Sequence, residues 1–203
     1  MSAARKRLTR EERKQQTHQH ILQAAEMLFA RRGYEGTTID EIVAEAGYTR
    51  GAFYAHFGSK EAIMRELIAA GFDGDVAAIS QMPSSSIEAC AAAYGNMARS
   101  FYENSDNTLW MLEFQLAAVR HPELRQEYAE QYHKMREAVG RLITDTLAED
   151  PQTSHTRTSD AHARYADIFL VMLSGLSLMK LIDPDRVDER LFEDGFRALV
   201  QGM

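Results

Sequence analysis

Apolar residues recur every three or four positions along most of the chain, which is the spacing of one face of an α-helix. In the clearest example, near the N-terminus, a helix should begin at Thr9 or Arg10 and end before Gly33. No segment shows the strict alternation of apolar and polar residues that is typical of a half-buried strand. The pattern therefore predicts an all-α protein of about nine helices. The apolar positions of the first helix are Ile21, Ala24, Ala25, Leu28 and Phe29.

Residues 37–60 predict two short helices joined by a tight turn. Thr38 and Glu41 have the spacing of a capping box, so the first helix should span Ile39 to Ala46. Gly47 follows, where a left-handed residue ends a helix without steric cost. Two short helices joined by a glycine-containing turn form the core of a helix-turn-helix, a structure that reads DNA.

The second helix of the pair should span Arg50 to Phe57, with Thr49 as its N-cap. Phe53 and Phe57 are four positions apart and are expected to point into the core. This arrangement leaves a polar set facing outward. The outward residues are Arg50, Gly51 and Tyr54, with His56 on the flank.

The outward set has chemistry that suits DNA. Arg50 can form a bidentate pair with guanine or bind a phosphate. Tyr54 and His56 can donate to phosphate oxygens, and Lys60 follows the Ser59 cap at the start of the next helix, where backbone amides also attract anions. Taken singly, Tyr54 and His56 are equally well explained as packing residues. Their combination with the turn glycine and two caps favours DNA binding.

Residues from about 13 to 65 resemble the DNA-binding domain of the tetracycline-repressor (TetR) family. The resemblance implies operator contacts from the positions that match Thr38, Thr49, Arg50, Gly51, Tyr54, His56 and Lys60. The chain departs from the family pattern at Tyr48 and at Ala52, which leaves the operator sequence open. The matching residues are Ile21 to Phe29, Gly33-Tyr34, Thr37-Thr38, Ala46-Gly47, Gly51, Tyr54, His56-Phe57 and Ser59-Lys60-Glu61.

The net charge of −7 is unevenly distributed. Residues 1–60 hold 10 Lys and Arg against 7 Asp and Glu, a net of +3, whereas residues 61–203 hold 13 against 23, a net of −10. The acidic part should therefore face away from DNA. A basic arm precedes the core of the first helix, and such an arm adds phosphate or minor-groove contacts. Its residues are Arg5, Lys6, Arg7, Arg10, Arg13 and Lys14.

Composition also bounds the compartment. Cys90 is the only cysteine, so no internal disulfide can form, which fits the reducing cytoplasm. No run of 18 apolar residues exists, so no transmembrane helix is expected. The basic N-terminus lacks the apolar core of a secretory signal. We therefore expect a cytoplasmic protein without a membrane partner.

Beyond the helix-turn-helix, the periodicity predicts a larger helical unit. We assign residues 1–60 to the basic arm and DNA-binding domain, and residues 61–203 to an effector-binding and dimerisation domain. Ser85 and Glu88 have capping-box spacing at the start of one helix. The predicted helices run from Ser59 to about Ser80, from the Ser85 cap to about Glu103, and over 108–120, 122–147, 159–182 and 187–200.

The last two helices predict a partner. From Ile168 to Ile182 apolar residues occur on all sides, so the helix has to be covered on all sides. A fully intramolecular core is the alternative. We favour a homodimer on a palindromic operator, since a helix-turn-helix needs two half-sites, and the family resemblance implies a four-helix interface. The predicted interface residues are Leu176, Met179, Leu191, Phe192, Phe196 and Leu199.

Aromatic and thioether side chains on the middle helices are typical of a large apolar pocket. Core packing is the better explanation for any one of them, and only the resemblance, which implies a small-molecule effector in this region, favours a pocket. The candidate pocket residues are Met97, Phe101, Trp110, Phe114, Tyr132, Phe169 and Met172.

Enzyme motifs are missing from the sequence. It contains no Gly-x-Ser-x-Gly and no phosphate-binding glycine loop. His18 and His20 diverge on a helix, and one cysteine excludes a zinc cluster in practice. We therefore predict no catalytic residues, no metal and no cofactor. The predicted function is a sequence-specific, homodimeric DNA-binding repressor that a small molecule releases; the alternative is a DNA-binding dimer controlled by a protein partner or by nothing.

Overall fold

The computed structural model describes residues 9–102, 105–149 and 159–201. Over these ranges the chain forms nine α-helices and no strand, which confirms the predicted all-α fold. Arg5, Lys6 and Arg7 of the predicted basic arm lie outside the described residues. The helices are α1 (Arg10–Arg32), α2 (Ile39–Ala46), α3 (Arg50–His56), α4 (Lys60–Ser80), α5 (Ile87–Tyr102), α6 (Ser105–Arg120), α7 (Pro122–Glu149), α8 (Ser159–Ile182) and α9 (Glu189–Gln201).

The chain divides into two compact units, Met1–Leu67 and Ile68–Met203. The division falls within α4, seven residues after the boundary that the sequence suggested. The first unit has a small core in which the apolar faces of α1, α2 and α3 meet. Its fully buried side chains include Ile21, Phe29, Ile42, Phe53 and Ile63.

Local capping fixes the helix ends of the first unit. Thr9 and Glu12 form a capping box at the start of α1. Thr38 and Glu41 form another at the start of α2, as their spacing predicted. Gly47 then adopts the left-handed conformation, with φ 75° and ψ 29°, and ends α2. The chain can reverse here because glycine has no Cβ to oppose a positive φ.

The second unit is built around an aromatic cluster shared by three helices. Tyr94 of α5 lies 4.8 Å from Phe169 of α8, measured between ring centroids. Its ring also lies 6.1 Å from Phe192 and 6.0 Å from Phe196, both of α9. Phe192 and Phe196 are almost completely buried in this core. The prediction that these two residues form the dimer interface is therefore wrong, since their side chains are not available to a partner.

The starts of α5 and α6 are among those that differ from prediction. The cap of α5 is Ser86, whose hydroxyl accepts from the backbone N–H of Ala89 at 3.1 Å; Ser85 was predicted. Helix α6 begins at Ser105, three residues before the expected start. Both differences involve polar residues that serve either as a cap or as a first turn, so spacing alone did not separate the two roles.

Helix α8 is unusually apolar. Residues 163–182 have a mean hydropathy of 1.7 and are long enough to cross a membrane, although we expected no such segment. Length and composition do not by themselves show that a helix spans a membrane, because an apolar helix that packs against other helices shares both properties. Only 22% of this apolar stretch is buried. What covers the rest of α8 is therefore the main question about the second unit.

Candidate nucleic-acid interface and ligand groove

The N-terminal end of α3 carries an exposed polar set. Thr49 caps the helix, its hydroxyl accepting from the backbone N–H of Ala52 at 3.3 Å. Thr49, Arg50 and Gly51 are exposed, and Tyr54 is 49% exposed. None of these side chains contributes to the core, which is reached from the opposite face of α3 by Phe53. The outward residues that the sequence predicted thus lie together on one exposed surface.

Arg50 is held by two neighbours. Its Nη1 lies 3.3 Å from Oδ2 of Asp40, and its Nη2 donates to the Tyr54 hydroxyl at 3.5 Å. The hydrogen bond to Tyr54, together with the charge of Asp40, raises the pKa of the guanidinium further above its ordinary value. Sequence reasoning missed Asp40, because the contact joins residues ten positions apart across the turn and leaves no local pattern.

Thr38 is the N-cap of α2. Its hydroxyl donates to Oε2 of Glu41 at 2.9 Å and accepts from the Glu41 backbone N–H at 3.3 Å. The backbone and side-chain hydrogen bonds from Thr38 lower the pKa of the Glu41 carboxyl, and Arg32 contributes to the same shift. Thr38 is exposed, but its hydroxyl already has a structural role.

His56 lies at the end of α3, close to His18 of α1. The His56 ring is 5.7 Å from His18 of α1, and His18 stacks on Phe57 at 4.3 Å. His18 Nε2 is 2.5 Å from a carboxylate oxygen of Glu66. Burial lowers the pKa of His56, and the nearby His18 and Lys14 lower it further. A neutral His56 can donate one N–H, but adds no positive charge.

Lys60 has a different position from the one expected of a phosphate contact. Its ammonium donates to the backbone carbonyls of Tyr34 at 2.9 Å and Thr37 at 3.0 Å. It also lies over the Tyr34 ring, 4.3 Å from the centroid. Lys60 therefore joins the start of α4 to the connection between α1 and α2. An ammonium has three donors, so one N–H remains after these two bonds.

Tyr48, which departs from the family pattern, also links elements of the first unit. Its hydroxyl lies 3.1 Å from Nδ1 of His20 on α1. The contact connects the turn between α2 and α3 to the first helix. The larger side chain thus adds a tether to the turn at this position.

A groove in the second unit lies among α6, α7 and α8. Its volume is about 420 Å³. Tyr132 is the one predicted pocket residue that lines it. The lining residues are Gln115, Ala118, Val119, Arg125, Tyr128, Tyr132, Leu170, Val171 and Ser174.

The other predicted pocket residues pack elsewhere. Trp110 and Phe114 are buried with their ring centroids 3.8 Å apart. Phe169 belongs to the aromatic core, and Met97 and Met172 pack against it. The side chain of Phe101 lies outside the described part of the structure. Apart from Tyr132, the described candidates pack against other buried residues and do not line this groove.

The polar groups of the groove are largely satisfied within the chain. Gln115 donates to the Tyr128 hydroxyl at 3.3 Å. Arg125 donates to the carbonyl oxygens of Val119 at 2.7 Å and Ala118 at 3.4 Å. Burial raises the pKa of both Tyr128 and Tyr132, so both phenols are neutral at physiological pH. The groove therefore offers aliphatic and aromatic surface with neutral hydroxyl groups and one guanidinium at its edge.

Among the described residues, no group of three or more His, Cys, Asp and Glu side chains is close enough to hold a metal ion. Cys90 is buried, and burial raises the pKa of its thiol to about 11. This thiol is therefore protonated at neutral pH and is a poor nucleophile.

Two protein-family models match the chain. Residues 21–67 match the model described as bacterial regulatory proteins, tetR family. Residues 85–203 match the model described as tetracyclin repressor-like, C-terminal domain. The second match alone covers more than half of the chain. One match lies in each compact unit.

Known proteins agree with these matches. The chain is 30% identical over 135 residues to YfiR of Bacillus subtilis, an uncharacterized HTH-type transcriptional regulator. The aligned residues cover 65% of this chain and 66% of YfiR. Salmonella enterica GusR has the same fold, with a TM-score of 0.76, 17% identity and coverage of 97% of this chain and 100% of its own. FadR from Bacillus subtilis, solved in complex with stearoyl-CoA, has a TM-score of 0.73 and 16% identity, covering 92% and 99%. On the family matches, the chain belongs to the TetR family of DNA-binding transcriptional regulators.

Proposed function

We propose that this protein is a homodimeric repressor that binds a palindromic operator through α3 and leaves it when a small, mainly apolar molecule binds the second unit. The observation that carries the DNA part is the exposed set of Thr49, Arg50, Gly51 and Tyr54 at one end of α3. Arg50 supplies donors for a base edge or a phosphate, and Tyr54 supplies a hydroxyl. His56 and the remaining N–H of Lys60 add donors at the flank.

The apolar face of α8 supports the dimer. Five apolar side chains recur at helical spacing along this face and are 38% to 69% exposed. They are Ile168, Val171, Leu178, Met179 and Ile182. Leaving such a stripe in water is unfavourable, and a second copy of the chain covers it symmetrically. A membrane is the less suitable cover, because α8 belongs to a DNA-binding regulator.

Other predicted interface residues divide between the two roles. Met179 and Leu191 are exposed and remain in the proposed interface. Leu176 and Leu199 are partly buried against the core of their own chain, so they contribute at its edge. A two-fold arrangement of such chains presents two α3 helices to half-sites about 34–36 Å apart, one turn of DNA.

The groove among α6, α7 and α8 is the proposed effector site. Its lining is aliphatic and aromatic, and its two phenols are neutral, which suits an apolar molecule with a few hydrogen-bonding groups. The complex of FadR with stearoyl-CoA supports the idea that this fold accommodates ligands with long apolar portions. Arg125 at the groove edge can take an additional acceptor on the ligand.

Release is proposed to be a population shift. Helix α4 begins at Lys60 and continues without a break to Ser80, so it belongs to both units and can transmit a change from one to the other. To reverse operator occupancy fully, the ligand must bind the released conformation on the order of 10⁴-fold more tightly.

Operator binding is tested with duplexes selected from a genomic library at low ionic strength and then titrated at rising salt. Affinity should fall steeply with salt, because phosphate contacts release counterions. Arg50→Ala should weaken binding and relax one operator base, whereas Arg190→Ala, an equal change of charge on α9, should leave it unchanged. Failure to select any duplex, or equal effects of both changes, would count against α3 as the reader.

Ligand control is tested with the fluorescence of Trp110, the only tryptophan, during a compound screen. Compounds that alter it should also release the operator, and Ala118→Leu, which narrows the groove, should weaken their binding without changing DNA affinity. If every tight binder leaves operator affinity unchanged, the dimer is controlled by a protein partner or is unregulated.

A further inference from the structure

We infer that Asp40 is a positioning and specificity-determining residue, which directs Arg50 to a base edge and opposes its capture by phosphate. The inference rests on the proposed contact of Arg50 with DNA. It assigns to the second residue of α2 a role in choosing the operator, although the reading surface lies mainly on α3. The observation behind it is the Asp40–Arg50–Tyr54 cluster, in which all three side chains are exposed.

The geometry of the cluster defines the direction of the Arg50 side chain. Asp40 accepts from one terminal nitrogen of the guanidinium at 3.3 Å, and the Tyr54 hydroxyl accepts from the other at 3.5 Å. A guanidinium carries five N–H donors, so three remain for DNA. Arginine otherwise loses considerable rotamer entropy on binding, and a side chain that is already oriented loses less.

Asp40 is free for this role because the adjacent acid is used elsewhere. Glu41 accepts from Arg32 at 2.6 Å and from both the backbone and the hydroxyl of Thr38. It therefore serves the cap of α2. The Asp40 carboxylate is 65% exposed, and Arg50 is the partner that the structure gives it.

The charge of Asp40 separates two kinds of DNA contact. An unaccompanied arginine is attracted to any phosphate, which strengthens binding to every sequence alike. A carboxylate beside it repels phosphate oxygens, but tolerates a base edge and can accept from the N4 amino group of cytosine. Asp40 thus lowers affinity for random DNA more than affinity for the operator, and it raises the ratio between the two.

The test compares Asp40→Asn with Glu45→Gln in the full-length protein. Both substitutions remove one negative charge from an exposed position on α2, and only the first removes it from Arg50. We expect Asp40→Asn to raise affinity for random duplex by roughly 3- to 10-fold and to reduce the ratio of operator to random affinity by about 10-fold. Asp40→Glu, which keeps the charge, should retain a larger part of that ratio. Glu45→Gln should leave the ratio unchanged.

Two further measurements separate a role of Asp40 in specificity from a purely structural role. Base preference of Asp40→Asn should be relaxed at the same operator position as in Arg50→Ala, and Asp40→Asn should add no further relaxation when Arg50 is already alanine. A purely structural role would lower the melting temperature without changing base preference, and that result would overturn the inference.

Different results would contradict the role of Asp40 and the proposed DNA contact of Arg50. If Arg50→Ala weakens operator binding but Asp40→Asn leaves the affinity ratio unchanged, Asp40 has no part in specificity while α3 remains the reader. If Arg50→Ala itself has no effect on operator binding, the proposed DNA contact is wrong and the role of Asp40 falls with it.

Discussion

The two units of this protein differ in whether one chain can complete them. In the first, α1, α2 and α3 bury their apolar faces against one another, and the exposed residues of α3 are largely polar. In the second, α9 completes an aromatic core with α5 and α8, yet the far face of α8 remains apolar and exposed. A core closed within one chain favours independent folding, whereas an uncovered apolar face favours association. We therefore expect damage to the first unit to abolish DNA binding locally, and damage to the second to act through the proposed dimer.

The largest effect is expected from Phe53→Ala in the core of the first unit. Phe53 is fully buried and packs against Phe57. Removing its ring should destabilise this unit by about 3–5 kcal/mol. Operator binding should be lost while the protein remains dimeric. Light scattering measures the oligomeric state, and thermal unfolding measures the loss of stability. Loss of the dimer as well would show that the second unit does not fold independently of the first.

A smaller but still large effect is expected from charges on the α8 face. Ile168→Glu combined with Ile182→Glu places two carboxylates in the proposed interface, where a charge without a partner is strongly unfavourable. The protein should sediment as a single chain, and operator affinity should fall by roughly 100-fold as the joint engagement of two half-sites is lost. Leu109→Glu, at an exposed leucine of α6, is the matched control. A double variant that remains dimeric would contradict the assignment of this face.

Removing the ammonium of Lys60 should have a moderate effect on the first unit. Lys60→Met keeps the apolar stem and loses the hydrogen bonds to Tyr34 and Thr37. We expect a decrease of about 1–2 kcal/mol in the free energy of unfolding, since these are partly exposed bonds from a charged donor. Lys60→Arg should recover part of it. Unchanged stability with weakened binding to all duplexes would instead identify Lys60 as a phosphate contact alone.

The smallest effect is expected from pH and concerns His56. Its pKa in the folded state is lowered by burial and then by His18 and Lys14, so the unfolded chain takes up the proton first as the pH falls. Stability is therefore complete above the ordinary value of 6.5 and declines as the pH falls from there towards the folded-state value. His56→Gln should flatten this part of the profile, measured by thermal unfolding between pH 5 and 8.

The control for the pH profile is Glu66→Gln, which removes the carboxylate that contacts His18 and leaves His56 in place. The decline in stability that His56 contributes should persist in this variant. If His56→Gln and the unaltered protein lose stability in parallel on acidification, the decline comes from other groups.

Features set by short-range hydrogen bonding were predictable from the sequence. The Thr38–Glu41 box, the Gly47 turn and the Thr49 cap were all expected, because each depends on residues at most a few positions apart. The outward positions of α3 followed from helical periodicity once those caps were in place.

Features set by packing partners were not predictable. Phe192 and Phe196 form an apolar stripe on α9, and a stripe does not reveal whether the same chain or another one covers it. Aromatic residues at helical spacing likewise fit a core and a pocket equally well, so the spacing did not show that Trp110 and Phe114 pack against each other and do not line the groove. Asp40 escaped notice because its contact with Arg50 crosses the turn.

Arg50 has no part in capping α2 or α3 or in the core beneath them, and this has an evolutionary consequence. Thr38, Glu41 and Thr49 hold the helices in place, and Phe53 anchors them, whereas the side chain of Arg50 does neither. A lineage can therefore exchange the exposed residue for another without endangering the framework beneath it. Gene duplication followed by drift at such a site gives regulators with new targets on an inherited scaffold.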